Sequence, residues 1–447
     1  MKLKHKETTA LLAVSLAGLS LCGVCGEMVE PMGRAYGKVF AQAGGMPEWH
    51  YGLVCLAYAL AALLAAATSR RLGPRSGLLV GLGLFAGGAL SHLPASQIGS
   101  PGPFVAGLCV MMCGLSFVET SATPIVMALG DRRRVLHRLF VARTFDVGGW
   151  FVGYSLVTLY VERRVFAPAG ADPLHGAAAG DPGLLAVATP YVWLGAAGCA
   201  MAVAVALMEM RDTRPDAPLR HTGGALLRGV ARDRTFVAAA ACLFVYTLAQ
   251  RLCWASIVSH GAAATAESHE DMTAAAARDD ARGLLVAGMA VFAAGRVAGA
   301  LLTGRGRMRP LPTLAAAGAA ATLLTLAGAL TPSRVGMWLM VVVSGCISVM
   351  QPIIFHVGTS HMDSETLRVG VAGLVVASTA GLSVSNSGWG AGDEPGGQMA
   401  VAAAAFALIT AFALWQTGKN ILRPMPPKGP GEAAAARNDS KWKPTRT

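Results

Sequence analysis

The chain has 447 residues, of which 54% are hydrophobic and only 14% are charged. A soluble domain has about 25% charged residues, so this composition excludes an ordinary soluble protein and indicates a chain that crosses a membrane repeatedly. The formal net charge is +12, but the basic residues lie between hydrophobic runs rather than on one amphipathic face, which argues against a nucleic-acid partner.

Twelve hydrophobic segments succeed one another along the chain, each near the roughly 20 residues that a membrane-spanning helix requires. The predicted spans are 8–33, 49–68, 76–95, 102–129, 139–160, 189–208, 235–259, 283–303, 311–330, 335–358, 367–389 and 398–418. The first span follows Lys2, Lys4 and Lys6, and so imitates a signal peptide. Its apolar run is too long for one, and we predict an uncleaved first helix.

The basic residues alternate between the connections that join these spans. With the N-terminus placed in the cytoplasm, cytoplasmic segments carry 27 of the 37 Lys and Arg residues, outer segments carry 7, and Arg143, Arg251 and Arg296 lie within spans. Membrane proteins show this positive-inside bias, so we predict an even number of spans with both termini cytoplasmic. The pattern suits a bacterial inner membrane, while a eukaryotic membrane stays open.

The longest predicted cytoplasmic connection divides the spans six and six, and it contains two prolines and a glycine pair. We therefore predict four units along the chain. They are an N-terminal six-helix bundle over 1–210, a cytoplasmic connection over 211–234, a C-terminal six-helix bundle over 235–422 and a disordered cytoplasmic tail over 423–447.

Charged side chains interrupt three of the apolar spans, and these are Glu119 in the fourth, Arg143 and Asp146 in the fifth, and Arg296 in the eighth. A charge at membrane depth costs at least roughly 2.5–3.5 kcal/mol, so such residues usually face a protein interior and serve a transport pathway. Arg143 and Asp146 are three residues apart, share a helix face and can pair. The sequence therefore predicts a transporter.

The same regions carry recognisable motifs. The fourth span contains Glu119-Thr-Ser-Ala-Thr-Pro124, and the fifth contains Phe140-Val-Ala-Arg-Thr-Phe-Asp146-Val-Gly-Gly149. They resemble the Glu-Thr-Ala-Ala-Asn-Pro and Asn-Leu-Ala-Gln-x-Phe-Asn-x-x-Gly patterns of the fucose permease group of hexose–proton symporters in the major facilitator superfamily. A further clear match is found in the eighth span at 295–299, and weaker ones at 244–250 and 348–355. Glu27 stands four residues before a proline, as does an essential acid of that group.

The resemblance implies an all-α polytopic membrane protein with twelve transmembrane helices in two six-helix bundles and a solute site between them at midplane. It further implies proton-coupled uptake of a hexose or related sugar by alternating access. By resemblance, Glu27 is the proton acceptor, Glu119 couples protonation to sugar binding, and Arg296 is structural or gating. The candidate substrate-binding residues are Arg143, Asp146, Gln250, Thr123 and Gln351.

The chain departs from the family pattern at three of these positions. Thr123 replaces an asparagine, Arg143 a glutamine and Asp146 a second asparagine. Arg143 could form a structural ion pair between the fourth and fifth spans, or it could bind Glu119 or an anionic solute through its guanidinium. Uptake of an acidic solute and efflux of drugs or metabolites therefore stay open, as do sodium coupling and a non-transporting sensor. Glu27 could instead be solvated near the outer end of its helix.

Other functional patterns are missing from the sequence. It contains no Walker loop, no metal-ligand spacing and no nucleophile–base arrangement, so we predict neither an enzyme nor a cofactor or metal site. The nine cysteines lie almost all in apolar runs and look like core residues. The predicted partners are a small-molecule solute, protons and the lipid bilayer, with the chain acting as a monomer.

Overall fold

A computed structural model describes residues 5–41, 44–47, 49–166, 182–208, 223–268, 273–331, 333–386 and 395–421, and these ranges contain helices but no β-strand. The first half comprises α1 His5–Val39, α2 His50–Leu72, α3 Pro74–Leu90, α4 His92–Ile98, α5 Pro101–Ala128, α6 Val135–Leu156, α7 Arg163–Val165 and α8 Pro182–Leu207. The second half comprises α9 Gly223–Arg232, α10 Arg234–Ser268, α11 Ala274–Gly304, α12 Pro310–Leu330, α13 Arg334–Ser348, α14 Met350–Thr359, α15 Ser364–Asn386 and α16 Pro395–Ile421.

Eleven helical segments of the described ranges are long and apolar enough to cross a membrane. They coincide with eleven of the twelve predicted spans. The remaining span, 139–160, corresponds to α6 and the π-helical turn Val157–Glu162 that continues it. This helix carries Arg143 and Asp146 and packs against α1 and α11. The remaining span thus carries two charged side chains, Arg143 and Asp146, that are buried in the protein.

α10 and α11 show the largest extensions beyond their predicted spans. α10 continues past its predicted end at 259, and α11 begins before its predicted start at 283. The side chain of Thr273 caps α11 by accepting a hydrogen bond of 3.3 Å from the backbone nitrogen of Ala276. Because the added turns are rich in alanine, the strongest helix former, they stay helical although they are less hydrophobic than the spans.

The tenth predicted span, 335–358, is broken into α13 and α14 at Val349. Pro352 lies in the first turn of α14, where its ring has no N–H to donate and crowds the carbonyl of Ser348. A second difference lies in the predicted connection 211–234, part of which is the helix α9.

The buried apolar side chains form two large clusters. One is drawn from residues 11–205, and the other mainly from residues 230–413. A few side chains of the first half, including Ala62, Met127 and Leu136, belong to the second cluster. This grouping agrees with two packed halves, while the boundaries at 210, 234 and 422 stay a prediction. The predicted tail, 423–447, lies outside the described residues.

α1 and α6 pack with their backbones in contact. A methyl group at Gly23 would lie 1.9 Å from the carbonyl oxygen of Asp146, and one at Gly149 would lie 2.1 Å from the carbonyl oxygen of Ser20. Neither distance is possible for real atoms, so both positions need glycine. This close approach brings the charged residues of α6 beside the middle of α1.

Candidate functional site

A cavity of about 170 Å³ lies between α1, α2 and α5 of the first half and α10 and α15 of the second. Its wall combines apolar side chains with six polar ones, which are Tyr51, Tyr58, Glu119, Arg251, Ser378 and Thr379. Solute sites of major facilitator transporters lie between the two halves in this way. The cavity is therefore the candidate solute site.

Glu119 enters this cavity from α5, and both of its carboxylate oxygens are engaged. Oε1 accepts a hydrogen bond of 2.8 Å from the Nη2 of Arg143, and Oε2 accepts one of 2.6 Å from the hydroxyl of Tyr58. The side chain of Glu119 is 14% exposed. Since α2 supplies Tyr58 and α6 supplies Arg143, three helices of the first half meet at this carboxylate, and its protonation would disturb at least one of these contacts.

Arg143 is shared between two carboxylates. Its Nη1 lies 3.5 Å from Oδ2 of Asp146, one turn further along α6, while its Nη2 binds Glu119. The guanidinium also lies over the ring of Phe355 at 5.7 Å from the centroid. Both intramolecular partners that the sequence suggested for Arg143 are therefore present at once, in a cluster of two negative charges and one positive charge.

Glu27 is buried, with 6% of its surface exposed. Its Oε1 accepts a hydrogen bond of 3.2 Å from Nη2 of Arg251. Glu27 belongs to α1 and Arg251 to α10, so this ion pair joins the two halves beside the cavity. The solvated position that the sequence left open for Glu27 is wrong, because the packing around α1 encloses its side chain.

Arg296 is the most completely buried cation of the site, with 1% of its surface exposed. Its Nη2 donates a hydrogen bond of 3.2 Å to Oε1 of Gln351, and its guanidinium lies over the ring of Phe292 at 4.9 Å. Two predicted site residues therefore contact each other, and they connect α11 to α14. Among the described residues, no partner is found for Nε and Nη1 of Arg296.

The other predicted solute-binding residues, Gln250 and Thr123, are buried and are not among the residues that line the cavity. Gln250 is 8% exposed and Thr123 is 2% exposed. Of all the predicted site residues, Glu119 alone is among the described residues that line the cavity. No group of three His, Cys, Asp or Glu side chains in the described ranges could hold a metal ion.

Of the six polar lining residues, the sequence analysis predicted Glu119 and missed the other five, and among these five Arg251 and Tyr58 contact predicted site residues. Arg251 follows Gln250 directly and lies inside an apolar span, so its charge was a usable signal, but its partner is 224 residues away. Tyr58 is one of three aromatic residues in its predicted apolar span, and such residues usually serve packing. Neither had a local pattern that would have indicated its partner.

At the face where α1 begins, three further polar contacts join the halves. Arg70 of α2 pairs with Glu365 of α15 at 2.9 Å, and Arg368 donates to the carbonyl oxygen of Ser69 at 2.6 Å. A ring nitrogen of His137 in α6 lies 2.9 Å from the carbonyl oxygen of Ala300 in α11. The lining residues of α15 lie at least 13 residues beyond Glu365, or about 20 Å along the helix. The cavity is thus separated from this face by contacts between the halves.

The sequence of the chain is similar to those of two known symporters. No protein-family model matches the chain. It is 28% identical over 342 residues to the L-fucose-proton symporter of Escherichia coli, covering 73% of this chain and 75% of that protein. It is 25% identical over 377 residues to the L-fucose-proton symporter of Haemophilus influenzae, covering 81% and 84%.

Solved structures show the same fold. A major facilitator superfamily transporter, FucP, in the outward conformation matches with a TM-score of 0.74 and 24% identity, covering 91% of this chain and 98% of that one. The proton:xylose symporter XylE matches with a TM-score of 0.63 and 14% identity, covering 92% and 96%. The human organic anion transporter MFSD10 also reaches 0.63, with 18% identity and coverage of 91% and 99%.

The chain shares the fold of a solved major facilitator superfamily transporter, and its candidate cavity lies between the two halves of that fold. The predicted twelve-helix fold is thereby confirmed, and the relatives are transporters rather than enzymes. The sequence is also similar over most of its length to two L-fucose-proton symporters, in agreement with the motifs of the fourth and fifth spans.

Proposed function

We propose that this transporter takes up a neutral hexose or a related sugar together with protons, by alternating access. The observation that carries the proposal is Glu119, a buried carboxylate in the wall of the cavity between the halves, held by Arg143 and Tyr58. A carboxylate in this position can take up a proton while it faces the solute. Two relatives named L-fucose-proton symporters support both the solute class and the coupling ion.

The contacts of Arg143 favour a neutral solute over an acidic one. An anionic solute at this guanidinium would have to displace Glu119 or Asp146, which already bind it at 2.8 and 3.5 Å. A sugar would need no such exchange, because its hydroxyl groups can bond to the hydroxyls of Ser378 and Thr379 and its ring can lie against the tyrosines of the cavity.

In this proposal, Glu119 couples protonation to solute binding and Glu27 accepts a second proton or the same proton at another stage. Gln250, Thr123 and Gln351 stay proposed solute contacts for a state in which the halves have moved. Arg296 is proposed to be structural, since it ties α11 to α14 through Gln351.

We also propose that the face where α1 begins is cytoplasmic. Lysine and arginine concentrate in the connections at that face, as the positive-inside rule requires. The membrane would then be a bacterial inner membrane, with both termini in the cytoplasm and the transporter acting as a monomer.

The test is counterflow of labelled sugar in proteoliposomes, with fucose, galactose, glucose and glucuronate compared. Counterflow needs solute binding and alternating access but no net movement of protons. We expect a neutral sugar to exchange in the wild type and in Glu119→Gln, and only the wild type to accumulate it when a proton gradient is applied.

The matched control is Glu162→Gln, which removes another carboxylate paired with an arginine, Arg34, away from the cavity. This variant should accumulate sugar as the wild type does. Exchange of glucuronate alone would support the acidic-solute alternative, and the absence of exchange for every sugar would overturn the proposal.

A further inference from the structure

The guanidinium of Arg251 borders the same cavity, at the end of an ion pair that begins on the opposite half. From this geometry we propose that Arg251 is a solute-binding residue and that Glu27 controls its availability. While Glu27 is ionised, it holds Arg251. When Glu27 takes up a proton, the guanidinium turns to the hydroxyl groups of the solute. This inference rests on the proposed sugar–proton symport and names the residue through which the two ligands are linked.

The two members of the pair differ in exposure. The side chain of Glu27 is 7% exposed, whereas that of Arg251 is 25% exposed and lines the cavity. A solute can therefore reach the guanidinium without reaching the carboxylate.

Trp254 provides a fixed surface for the released guanidinium. The guanidinium carbon of Arg251 lies 6.0 Å from the centroid of this ring, within the range of a cation–π contact. The indole is held in turn by Trp150 and Phe292 and by a hydrogen bond of 3.3 Å to Ser344. Arg251 can thus leave Glu27 and stay at the cavity wall, where its donors can bind sugar hydroxyls.

Of the two arginines in this region, Arg251 rather than Arg143 is the ion-pair partner of Glu27. The ionisable side chains around this part of α1 and around Arg251 come from five neighbouring helices and from α1 itself. They are Tyr51, Cys55 and Tyr58 of α2, Glu119 of α5, Arg143 and Asp146 of α6, Tyr191 of α8, Arg251 of α10, and Cys22 and Cys25 of α1. Arg143 is bonded to Glu119 and Asp146. Proton uptake by Glu27 therefore acts first on its ion pair with Arg251.

The proton balance of this step is simple. One proton from the surrounding solution, carried as hydronium, binds a carboxylate oxygen of Glu27, which becomes a neutral acid and leaves a water molecule behind. Arg251 keeps its positive charge, and the neutral side chain of Glu27 no longer attracts it electrostatically. The pair crosses from α1 to α10, so the same event removes one contact between the halves. Protonation would in this way both increase the affinity for the solute and loosen the halves.

The experiment is a double-mutant cycle on solute affinity, with labelled fucose binding to purified protein measured at acidic and alkaline pH. In the wild type we expect tighter binding at acidic pH, by at most about tenfold per pH unit for one linked proton. Glu27→Gln should bind about as tightly at alkaline pH as the wild type does at acidic pH. Arg251→Gln should bind roughly 10- to 100-fold more weakly, through loss of a charged hydrogen-bond donor.

The decisive comparison is the double variant. Without Arg251, the neutralisation of Glu27 no longer makes a guanidinium available to the solute, so Glu27→Gln/Arg251→Gln should bind as Arg251→Gln does. An equal gain in affinity from Glu27→Gln in both backgrounds would overturn the inference. Arg34→Gln, which breaks an ion pair of α1 within the first half, is the control and should keep the wild-type pH dependence.

A failure of the proposed function would look different, because then the wild type itself would bind no sugar at any pH. If Arg251→Gln does not fold, Arg251→Lys replaces it. Lysine keeps the charge but not the planar set of donors, so it should keep the pH dependence and weaken binding. Wild-type affinity in Arg251→Lys would contradict a direct contact between Arg251 and the solute.

Discussion

The charged contacts of this transporter fall into two kinds, those within one half and those between the halves. The cluster of Glu119, Arg143 and Asp146 lies within the first half, and its three side chains are 7–14% exposed. The pair of Glu27 and Arg251 joins the halves and is more open on the arginine side. In a transporter whose halves move against each other, contacts of the first kind can persist through the cycle, while those of the second kind have to break and form again.

This difference predicts that, apart from changes to the proposed coupling carboxylate Glu119 and its hydrogen bond from Tyr58, variants within a half act mainly on stability and variants between the halves act mainly on transport. The largest effect should come from Arg143→Gln. Removing one partner of a buried ion pair costs about 3–5 kcal/mol, because the remaining charges stay buried without compensation. We expect a strongly lowered midpoint of thermal unfolding in detergent.

The double variant Arg143→Gln/Asp146→Asn is the control for this prediction. It removes one charge of each sign and should recover much of the lost stability, although Glu119 still lacks its cation. If the double variant is no more stable than Arg143→Gln, then Asp146 is not part of the same electrostatic unit.

A contact between the halves should respond differently. Glu365→Gln weakens the pair with Arg70 at the face where α1 begins. We expect little change in the unfolding midpoint but several-fold faster hydrogen exchange at the end of α2 and the start of α15, because that face opens more often. Glu162→Gln, which affects a pair within the first half, should leave exchange in these segments unchanged.

The halves and their spans could be predicted because each depends on local hydrophobicity and length. The errors arose where a second local property competed with hydrophobicity. Alanine extended α10 and α11 beyond their apolar cores, and Pro352 divided the tenth span. The motif around Glu119 also located the cluster of the first half, since its members lie within 28 residues of one another.

The contact between Glu27 and Arg251 could not be predicted in the same way. Its members are separated by 224 residues, and no spacing rule relates positions on different halves. The same holds for Tyr58 and Glu119, which are 61 residues apart. A single sequence reveals that a charge is buried in a span, but only the packing of the helices shows which opposite charge compensates it.

Tyr58→Phe should have a moderate effect and sharpen the comparison further. It removes one of the hydrogen bonds to Glu119, worth roughly 0.5–1.5 kcal/mol, and leaves the ring that packs in the cavity. Because the contact lies within the first half, we expect a small loss of stability. Because it orients the coupling carboxylate, we also expect severalfold lower proton-driven accumulation, with counterflow largely preserved. If counterflow fell by the same factor as proton-driven accumulation, the result would indicate that Tyr58 has a packing role alone.

The smallest effect should come from an exposed contact within the second half. Asp233 contacts His361 and accepts hydrogen bonds of 2.8 and 3.2 Å from the backbone nitrogens of Thr235 and Phe236 at the start of α10. Burial would raise the pKa of Asp233, but these hydrogen bonds and the nearby imidazole outweigh it and hold the pKa below its ordinary value. A lowered folded-state pKa stabilises the protein above the ordinary pKa of an aspartate, about 3.9, and this contribution is lost as the pH falls through the folded pKa.

Asp233→Asn keeps a side chain that can cap α10 but removes the charge. We therefore expect a loss of at most about 1 kcal/mol near neutral pH, as for other exposed pairs, and no loss at a pH low enough to protonate the aspartate. The measurement is the unfolding midpoint of wild type and variant over a pH series, with sugar counterflow followed in parallel. Since Asp233 and His361 belong to the same half, counterflow should stay at the wild-type level. A transport defect in a variant this close to wild-type stability would break the distinction between contacts within and between the halves.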